Sequence, residues 1–361
     1  MKLLANARFL TRPMTGVDRV AVELLNALQA LSLEEGGDVV QLAIPVDCAV
    51  DTNQALPNIP IAFKGKRRGQ GWEQFELLRV DKDAWLLNLC NMGPLLRARQ
   101  ATMIHDAQVY LSPESYSWAF RTWYRFALPR LARRSAVLLT VSEYSKNELE
   151  QVGAFPKGKA QVIYNGVDHM DRIEADDSIL VKHQLKPGDY LLALGSRAKH
   201  KNTALLLDLM RELPAEAAPL VLVGGGGLDS FVDPELVASG RVILTGRIDD
   251  ASLKALYANA MLFLFPSITE GFGLPPLEAM RCGCPVLASM GGAIHEVCGD
   301  AASYADPHRP HTWAEPLQAL IDSSARRNRL RQLGHAQAAS FTWRQSAQQV
   351  LRLLSREGIL G

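Results

Sequence analysis

Short apolar runs alternate with amphipathic stretches along nearly the whole chain. The runs are almost continuously hydrophobic, which is typical of strands covered on both faces, as in parallel sheets. They predict strands at residues 85–89, 101–104, 136–141, 161–164, 190–194, 219–223, 241–244, 261–265 and 285–288. Strands that alternate with helices on this scale predict an α/β fold with parallel sheets.

Several stretches between the strands have helical periodicity. Apolar residues at spacings of three and four from Val17 to Leu28 form one stripe of a helix. Ser142 is suited to cap a helix that stops at Gly153. A third helix, over residues 205–213, is predicted to end before a proline.

A polar stretch over residues 168–189 interrupts the alternation, which then starts again. We therefore predict two doubly wound domains, residues 1–168 and 188–341, joined by a linker over residues 169–187. Residues 342–361 form a further predicted helix, which is compatible with packing on either domain and with a return to the first. Ligands of open α/β sheets bind beyond the carboxyl ends of the strands. Two such domains that face each other are expected to form a cleft.

Composition and charge narrow the functional classes. The 361 residues carry 39 basic and 38 acidic side chains, a net charge of +1, so no bulk charge argues for nucleic-acid binding. No apolar run reaches the ~18 residues that span a bilayer, and Arg8 interrupts a short apolar start that resembles a secretion signal. Five cysteines, an odd number in a long chain, do not form a disulfide framework. We expect a cytoplasmic protein.

The segment after the predicted strand 261–265 is the richest in candidate chemistry. Gly271 and Gly273 allow the loop backbone to approach a ligand closely, and the prolines that follow suit a helix start, where free amides favour a phosphate. Glu270 and Glu278 would flank that phosphate and accept hydrogen bonds from sugar or ribose hydroxyls. The alternative is a tight strand–helix turn with solvated glutamates.

A second cluster follows the predicted strand 190–194. Four potentially cationic side chains lie in one short loop ahead of a helix: Arg197, Lys199, His200 and Lys201. Such a loop suits the negative charge of a diphosphate. An ordinary basic loop is the alternative.

Two weaker candidates lie in the first domain. His105 follows the predicted strand 101–104, again at a carboxyl end, although a lone histidine is more often structural. Gly16 opens the first amphipathic helix and leaves room for a phosphate or acceptor at the helix N-terminus.

Three other patterns do not indicate cofactor sites. The triplet Asp81-Lys82-Asp83 precedes an apolar strand, so it is interpreted as a solvated turn. Cys282 and Cys284 have no second Cys/His pair that would complete a zinc site. A dinucleotide fingerprint that starts at Gly224 would require glycine where Asp229 stands. No metal is therefore expected.

The stretch from Ser117 to Arg134 mixes aromatic and basic residues, a composition typical of an interfacial helix. A basic run over residues 64–68 lies in the same domain. If the acceptor is a lipid-linked sugar, both could contact the inner membrane peripherally. The alternative is a partly buried helix with a solvated basic face.

Taken together, these residues resemble a known family. Glu270 and Glu278, with Gly-Phe-Gly-Leu-Pro following Glu270, are similar to the E-x7-E signature of the large retaining glycosyltransferase family four. Other elements fit that family in order, namely residues 105–106, 140–145, 162–168, 201–202, 245–247 and 341–343. The resemblance implies the GT-B fold, in which two Rossmann-like domains face each other across a cleft.

The resemblance also implies roles for single residues. Glu278 would hold the nucleotide ribose, Glu270 would contact hydroxyls of the donor sugar, and Lys201 would neutralise the diphosphate leaving group. His105 would lie against the donor sugar from the facing domain. Further donor contacts are implied for Gly16, Arg197, Arg247, Ile248 and the backbone amides of Phe272, Gly273 and Leu274. The family often has an arginine directly before the lysine, where this chain has His200.

The implied reaction is a retaining, metal-independent transfer of a hexose from a nucleotide diphosphate sugar to a saccharide or lipid-linked saccharide. The form of the glutamate segment resembles bacterial mannosyltransferases of O-antigen or exopolysaccharide synthesis, so a GDP-mannose-type donor is expected first and UDP-glucose second. An epimerase of the same fold and a degenerate sugar-binding scaffold are the alternatives. The intact Glu270, Glu278 and Lys201 argue against the scaffold.

Overall fold

The computed structural model describes residues 3–34, 40–49, 55–214, 216–225 and 227–358. The chain divides into two compact units. The first consists of Met1–Gly166 together with Thr342–Gly361, and the second of Val167–Phe341.

The first unit is built on a parallel sheet of seven strands among its described residues. The strands are β1 (Leu3–Asn6), β2 (Val40–Ile44), β3 (Ile61–Lys64), β4 (Trp85–Asn88), β5 (Gln100–Met103), β6 (Val137–Thr140) and β7 (Gln161–Val162). Their order across the sheet is β3-β2-β1-β4-β5-β6-β7. The chain therefore changes direction across the sheet between β1 and β4.

The second unit repeats this plan with six parallel strands in the part of it that is described. The strands are β8 (Leu191–Leu194), β9 (Leu220–Val223), β10 (Val242–Gly246), β11 (Leu262–Phe265), β12 (Val286–Ser289) and β13 (Ala302–Ala305). Their order is β10-β9-β8-β11-β12-β13, so this sheet changes direction between β8 and β11. Both orders match the doubly wound arrangement.

Helices connect the strands of both sheets. They are α1 (Gly16–Glu34), α2 (Gly69–Gly71), α3 (Gln108–Leu111), α4 (Trp118–Arg134), α5 (Glu143–Gln151), α6 (Ser178–Lys182), α7 (Thr203–Glu212), α8 (Pro234–Ala238), α9 (Asp250–Asn259), α10 (Leu274–Arg281), α11 (Ile294–Cys298), α12 (His311–Asp322), α13 (Ser324–Ala339) and α14 (Trp343–Arg356). A π-helical turn, Trp72–Glu76, directly follows α2. In the described ranges, no helix has both the length and the apolarity required to cross a bilayer.

The predicted α/β class with parallel sheets is confirmed, and each of the nine predicted strands lies within two residues of an observed one. Strands β1, β2, β3 and β13 were not predicted. β3 is an edge strand whose residues are largely exposed, and its apolar run Ile61–Phe63 is short and lies between Pro60 and Lys64, which does not indicate a buried strand. The predicted cap at Ser142 is present, because its hydroxyl accepts from the amide of Ser145 at 2.9 Å.

Residues 169–187, predicted as a linker, belong to the second unit. Lys254 Nζ donates to the carbonyls of Met170 (2.8 Å) and Ile173 (2.7 Å), and the guanidinium of Arg281 pairs with Asp171. These contacts attach the start of the segment to α9 and α10. The short helix α6, later in the segment, also packs against α9.

The C-terminal helix α14 belongs to the first unit and packs against α1. Arg344 forms two hydrogen bonds of 2.7 Å with the carboxylate of Glu34 at one end of this contact. The backbone of Trp343 lies so close to Gly166 that a Cβ on Gly166 would overlap it. A glycine is therefore required where the last helix joins the first unit.

Candidate active site

In the second unit, the loops after β8 and β11 meet at the carboxyl ends of the two strands that flank the change of direction. This is the position at which open α/β sheets bind ligands. Lys201, from the loop after β8, donates from Nζ to Oε1 of Glu270, from the loop after β11, at 2.6 Å. The Glu270 side chain is 13% exposed and that of Lys201 32%, so the pair is partly shielded yet accessible.

The loop after β8 is held on the loop after β11 by its own backbone and by Asn202. Asn202 has a left-handed conformation (φ 55°), and its Nδ2 donates to the carbonyls of Pro266 (3.3 Å) and Pro307 (2.9 Å). The amide of Ile268 donates to the carbonyl of His200 at 2.7 Å. His200 thus contributes a backbone contact at the position where the family often has an arginine.

Two glycines after β12 support Glu270, and sequence reasoning did not identify them. Gly292 has φ +69°, and a Cβ on it would overlap the backbone of Glu270, as a Cβ on Gly291 would overlap that of Ile268. The next residue, Ala293, donates its amide to the Glu270 carbonyl at 3.0 Å. The adjacent glycines, which begin three residues after the end of the predicted strand 285–288, were the available signal.

The start of α10 presents a short run of backbone amides. Gly273 has φ 98° and precedes the first residue of the helix, Leu274. Pro275 and Pro276 have no amide hydrogen, so donors in this stretch come from Leu274 and the residues before it. Phe272 is 5% exposed and packs edge-on against Phe341, which fixes the backbone ahead of the helix.

Glu278 lies one turn into α10 and contacts a residue that sequence reasoning missed. His169 Nε2 lies 3.3 Å from Glu278 Oε1, and the imidazole is 2% exposed while the carboxylate is 13% exposed. The neighbouring ion pair of Asp171 with Arg281 lowers the pKa of Asp171, chiefly through its hydrogen bonds. These contacts attach the segment after residue 167 to the helix that carries Glu278.

Arg197 and Arg247 border a different loop, the one after β9. A Cβ on Gly227 would lie 3.3 Å from Nη1 of Arg197, and a Cβ on Gly225 would lie 3.6 Å from the Cβ of Arg247. Both arginines are exposed, and Ile248 beside Arg247 is partly buried. Gly226, in the run of glycines between them, is outside the described residues.

His105 lies in the first unit and is buried. Its Nε2 is 2.7 Å from the carbonyl oxygen of Leu89, which can only accept, so Nε2 carries the proton and Nδ1 presents its lone pair. Burial lowers the pKa of His105 to about 4, so the imidazole is neutral at pH 7. The His105 amide donates to Oδ1 of Asn91 at 2.8 Å. The ring is therefore fixed in one tautomer.

Gly16 begins α1 and is exposed, with open space where a Cβ would stand. The carboxylate of Asp18 accepts from the amide of Thr15 (3.0 Å) and its hydroxyl (2.7 Å), and it pairs with Arg12 (2.8 Å). The start of this helix is therefore ordered around Asp18 while Gly16 stays accessible.

Cys282 and the Asp81–Asp83 turn are explained by their local surroundings. Burial raises the pKa of Cys282 to about 12, so its thiol stays protonated. Asp83 donates its amide to Oδ1 of Asp81 at 3.1 Å, a local turn contact. The described residues contain no group of three or more His, Cys, Asp or Glu that could hold a metal ion.

Comparison with known proteins agrees with this geometry. Residues 177–337 match the family model described as glycosyl transferases group 1, and residues 14–170 match that of glycosyltransferase family 4. The O-antigen chain mannosyltransferase B of Escherichia coli is 30% identical over 97% of this chain and 98% of its own length. The chain belongs to this family of glycosyltransferases.

A further relative and a solved structure support the family and the fold of this chain. The O-antigen chain mannosyltransferase RfbU of Salmonella typhimurium is 29% identical over 63% of this chain and 62% of its own length. The crystal structure of Anabaena HepE, in complex with UDP and glucose, superposes with a TM-score of 0.75 at 20% identity and covers 99% of this chain and 100% of HepE. The predicted family and the GT-B fold with its two parallel-sheet domains are thus confirmed.

Proposed function

We propose that this glycosyltransferase moves a hexose, mannose in the first instance, from a nucleoside diphosphate sugar to a saccharide or lipid-linked saccharide in the synthesis of a cell-surface polysaccharide. The transfer retains the anomeric configuration and requires no metal. The observation that carries the proposal is the Lys201–Glu270 pair at the carboxyl ends of β8 and β11. A cation and a carboxylate placed together there suit a sugar diphosphate, whose phosphates are anionic and whose sugar has hydroxyl donors.

Each site residue then has a role. Lys201 neutralises the diphosphate with Arg197, Glu270 binds sugar hydroxyls, and Glu278 binds the ribose. Backbone amides of Phe272, Gly273 and Leu274 donate to sugar and phosphate, while Arg247 and Ile248 contact the base. On the first unit, neutral His105 can accept a sugar hydroxyl at Nδ1, and Gly16 admits the phosphates or the acceptor to the start of α1.

The chemistry needs no covalent intermediate. The bond between the anomeric carbon and the β-phosphate oxygen breaks, and a bond to the acceptor hydroxyl forms on the same face. The acceptor proton passes to the leaving phosphate oxygen. Lys201 and the amides at the start of α10 stabilise the charge that develops on that oxygen, which is worth a few kcal/mol per well-placed donor.

The donor is proposed from the relatives. Those that match over most of this chain include mannosyltransferases of O-antigen synthesis, which favours a GDP-mannose-type donor. The crystal structure of HepE contains UDP and glucose, so UDP-glucose is the second candidate donor. We place the reaction on the cytoplasmic side of the membrane, with peripheral contact through the stretch from Ser117 to Arg134.

Nucleotide binding tests the proposal directly. We expect GDP to raise the melting temperature more than UDP does, and the shift to survive EDTA and vanish in Glu278→Ala. A ligand at 100 times its dissociation constant adds about 2.7 kcal/mol to folding stability, because it binds only the folded state. A thermal-shift screen of nucleotides and nucleotide sugars measures this. No shift with any nucleotide would contradict catalysis and support a sugar-binding scaffold.

His169 should position Glu278 for the ribose. We expect His169→Ala to weaken GDP binding about tenfold, because this factor corresponds to the free energy that one hydrogen bond to a charged group contributes. Binding of 2′,3′-dideoxy-GDP should change little, because that analogue has no ribose hydroxyls for Glu278 to bind. Isothermal titration of both nucleotides measures the difference.

His169→Gln, which retains an N–H donor, is the matched variant and should recover part of the GDP affinity. Equal weakening of GDP and of the dideoxy analogue would show that His169 only supports folding around α10.

A further inference from the structure

The loop after β4 contacts His105 at two points. The carbonyl of Leu89 accepts from the imidazole, at 2.7 Å from Nε2, and Oδ1 of Asn91 accepts from the His105 amide at 2.8 Å. Both contacts come from one stretch of three residues. The loop after β4 therefore holds the ring of His105 and its backbone together.

Asn91 has an unusual backbone conformation. Its φ is 66°, and among the described residues other than glycine only Gln184 and Asn202 also have a positive φ. Left-handed backbone is rare outside glycine, although asparagine is enriched there. The Asn91 amide donates to the carbonyl of Met103, the last residue of β5, at 3.1 Å. A costly conformation that is held in place beside a candidate site residue points to a functional role.

Asn202 has the corresponding position in the second unit. It has φ 55° and directly follows Lys201, and its carboxamide donates to carbonyls in the loops after β11 and β13. Gln184, which lies just after α6, is exposed. Of the left-handed side chains in the described part of the chain, the two asparagines each fix a loop that carries a candidate site residue.

The loop after β6 holds the other side of His105. The His105 carbonyl accepts from the hydroxyl of Ser145 at 2.8 Å, and the Ser145 amide donates to the hydroxyl of Ser142, which caps α5, at 2.9 Å. Ring, amide and carbonyl of His105 thus all have hydrogen-bond partners. Leu89 contributes a backbone carbonyl, so Asn91 is the member of the loop after β4 whose contact a substitution can remove.

We infer that Asn91 is a positioning residue of the transfer. It holds the backbone of His105 so that the imidazole keeps its Nε2 proton on Leu89 and presents the Nδ1 lone pair to the donor sugar. Asn91 itself touches no substrate in this role. The inference rests on the proposed function, because it assigns Asn91 to the His105 contact of that reaction. A ring released from this position would present a proton to the sugar hydroxyl for part of the time.

Asn91→Gly removes the carboxamide and keeps the backbone, because glycine adopts a positive φ without strain. We expect kcat for GDP-mannose turnover to fall about tenfold, since a group misplaced by 1 Å can cost up to ~10²-fold. The affinity for GDP, which lacks the sugar, should stay within about twofold. Steady-state kinetics and isothermal titration measure the two effects on the full chain.

Two further variants serve as controls. Asn91→Asp keeps a side-chain oxygen that accepts from the His105 amide, so it should recover most of the lost rate. Gln184→Gly removes a left-handed side chain from the second unit and should leave turnover within about twofold of wild type. Melting temperatures of all variants show whether the chain remains folded in the assay.

The tautomer of His105 is a readout that general loss of stability would not change. With ¹⁵N-labelled histidine, the signals of His105 are assigned by their absence from His105→Ala. At pH 7 the wild-type chain should show a protonated Nε2 and an unprotonated Nδ1. Asn91→Gly should move both nitrogens toward the average of the two tautomers, and Asn91→Asp should restore the wild-type pattern.

A double-variant cycle separates this inference from the proposed function. Because residues that act as a unit are not additive, Asn91→Gly should add less than about twofold to the loss in His105→Ala. Losses that multiply, or an unchanged His105 tautomer in Asn91→Gly, would overturn the inference. If His105→Ala lowers turnover and Asn91→Gly does not, the inference alone fails. If the wild-type chain turns over neither GDP-mannose nor UDP-glucose, the proposed function fails and the inference with it.

Discussion

Lys201→Ala is expected to lower the rate of sugar transfer by about two to three orders of magnitude, the loss typical when one preorganised donor to a developing negative charge is removed. Folding should change little. The Lys201 side chain is 32% exposed and that of Glu270 13%, so solvent partly screens the pair and its loss should cost on the order of 1 kcal/mol. Donor turnover and the melting temperature, measured on the same preparation, separate the two effects.

The chain offers a matched control for this variant. Lys199 lies in the same short 3-10 turn as Lys201 and is exposed, so Lys199→Ala removes an equal charge two residues away. It should retain turnover within about threefold. Glu270→Ala should fall as far as Lys201→Ala, and the double variant little further, because residues that act as a unit are not additive. Near wild-type turnover in Lys201→Ala would contradict the proposed leaving-group role.

Lys201 and Glu270 could be predicted because each lies in the loop that follows an apolar strand, and because both match the motifs of the family. The carboxyl ends of neighbouring parallel strands meet at one edge of the sheet, so the two loops were expected to lie close together. His169 could not be found in this way. It precedes Glu278 by more than a hundred residues, and their contact depends on how the segment after residue 167 packs on α10.

The strands also divide into those that the sequence predicted and those that it did not. Central strands such as β11, which is buried throughout, have continuous apolar runs, and these were predicted within two residues. Edge strand β3 is mostly exposed, and its apolar run is only three residues long and directly follows a proline, which disfavours a central strand. The four-residue strand β1 is buried but stands at the start of the chain, where a short apolar run also resembles a secretion signal.

For the stretch from Ser117 to Arg134, composition alone does not predict which surface each side chain lines. Its aromatic and basic content predicted an interfacial helix, but the distribution of its side chains depends on packing. Trp123 and Tyr124 line a polar cavity of the first unit that includes Glu73 of the π-helical turn. Trp123 also lines an apolar groove with Phe126, Arg130 and Phe75 of the same turn. A sequence shows that such residues are present, whereas the partner surface from the π-helical turn decides which cavity each one lines.

Gly292→Ala is expected to destabilise the second unit by roughly 3 kcal/mol and to lower transfer by about 10²-fold. The φ of +69° costs a non-glycine residue about 1–2 kcal/mol. The new Cβ would also overlap the backbone of Glu270, and such overpacking typically costs about 1–3 kcal/mol more. The remaining loss is catalytic, because displacing Glu270 by about 1 Å can cost ~10²-fold.

Gly240→Ala separates strain from displacement. Gly240 follows the end of α8 in the second unit and also has a positive φ (+74°), but no atom lies within 4 Å of the position that a Cβ would take. It should therefore lose only the ~1–2 kcal/mol of backbone strain and keep its activity. Urea unfolding and donor turnover measure both variants. If Gly292→Ala and Gly240→Ala lose equal stability and both retain turnover, the loop after β12 does not position Glu270. A Gly292→Ala enzyme that has lost turnover while still folded at the assay temperature would place that loop in the donor site.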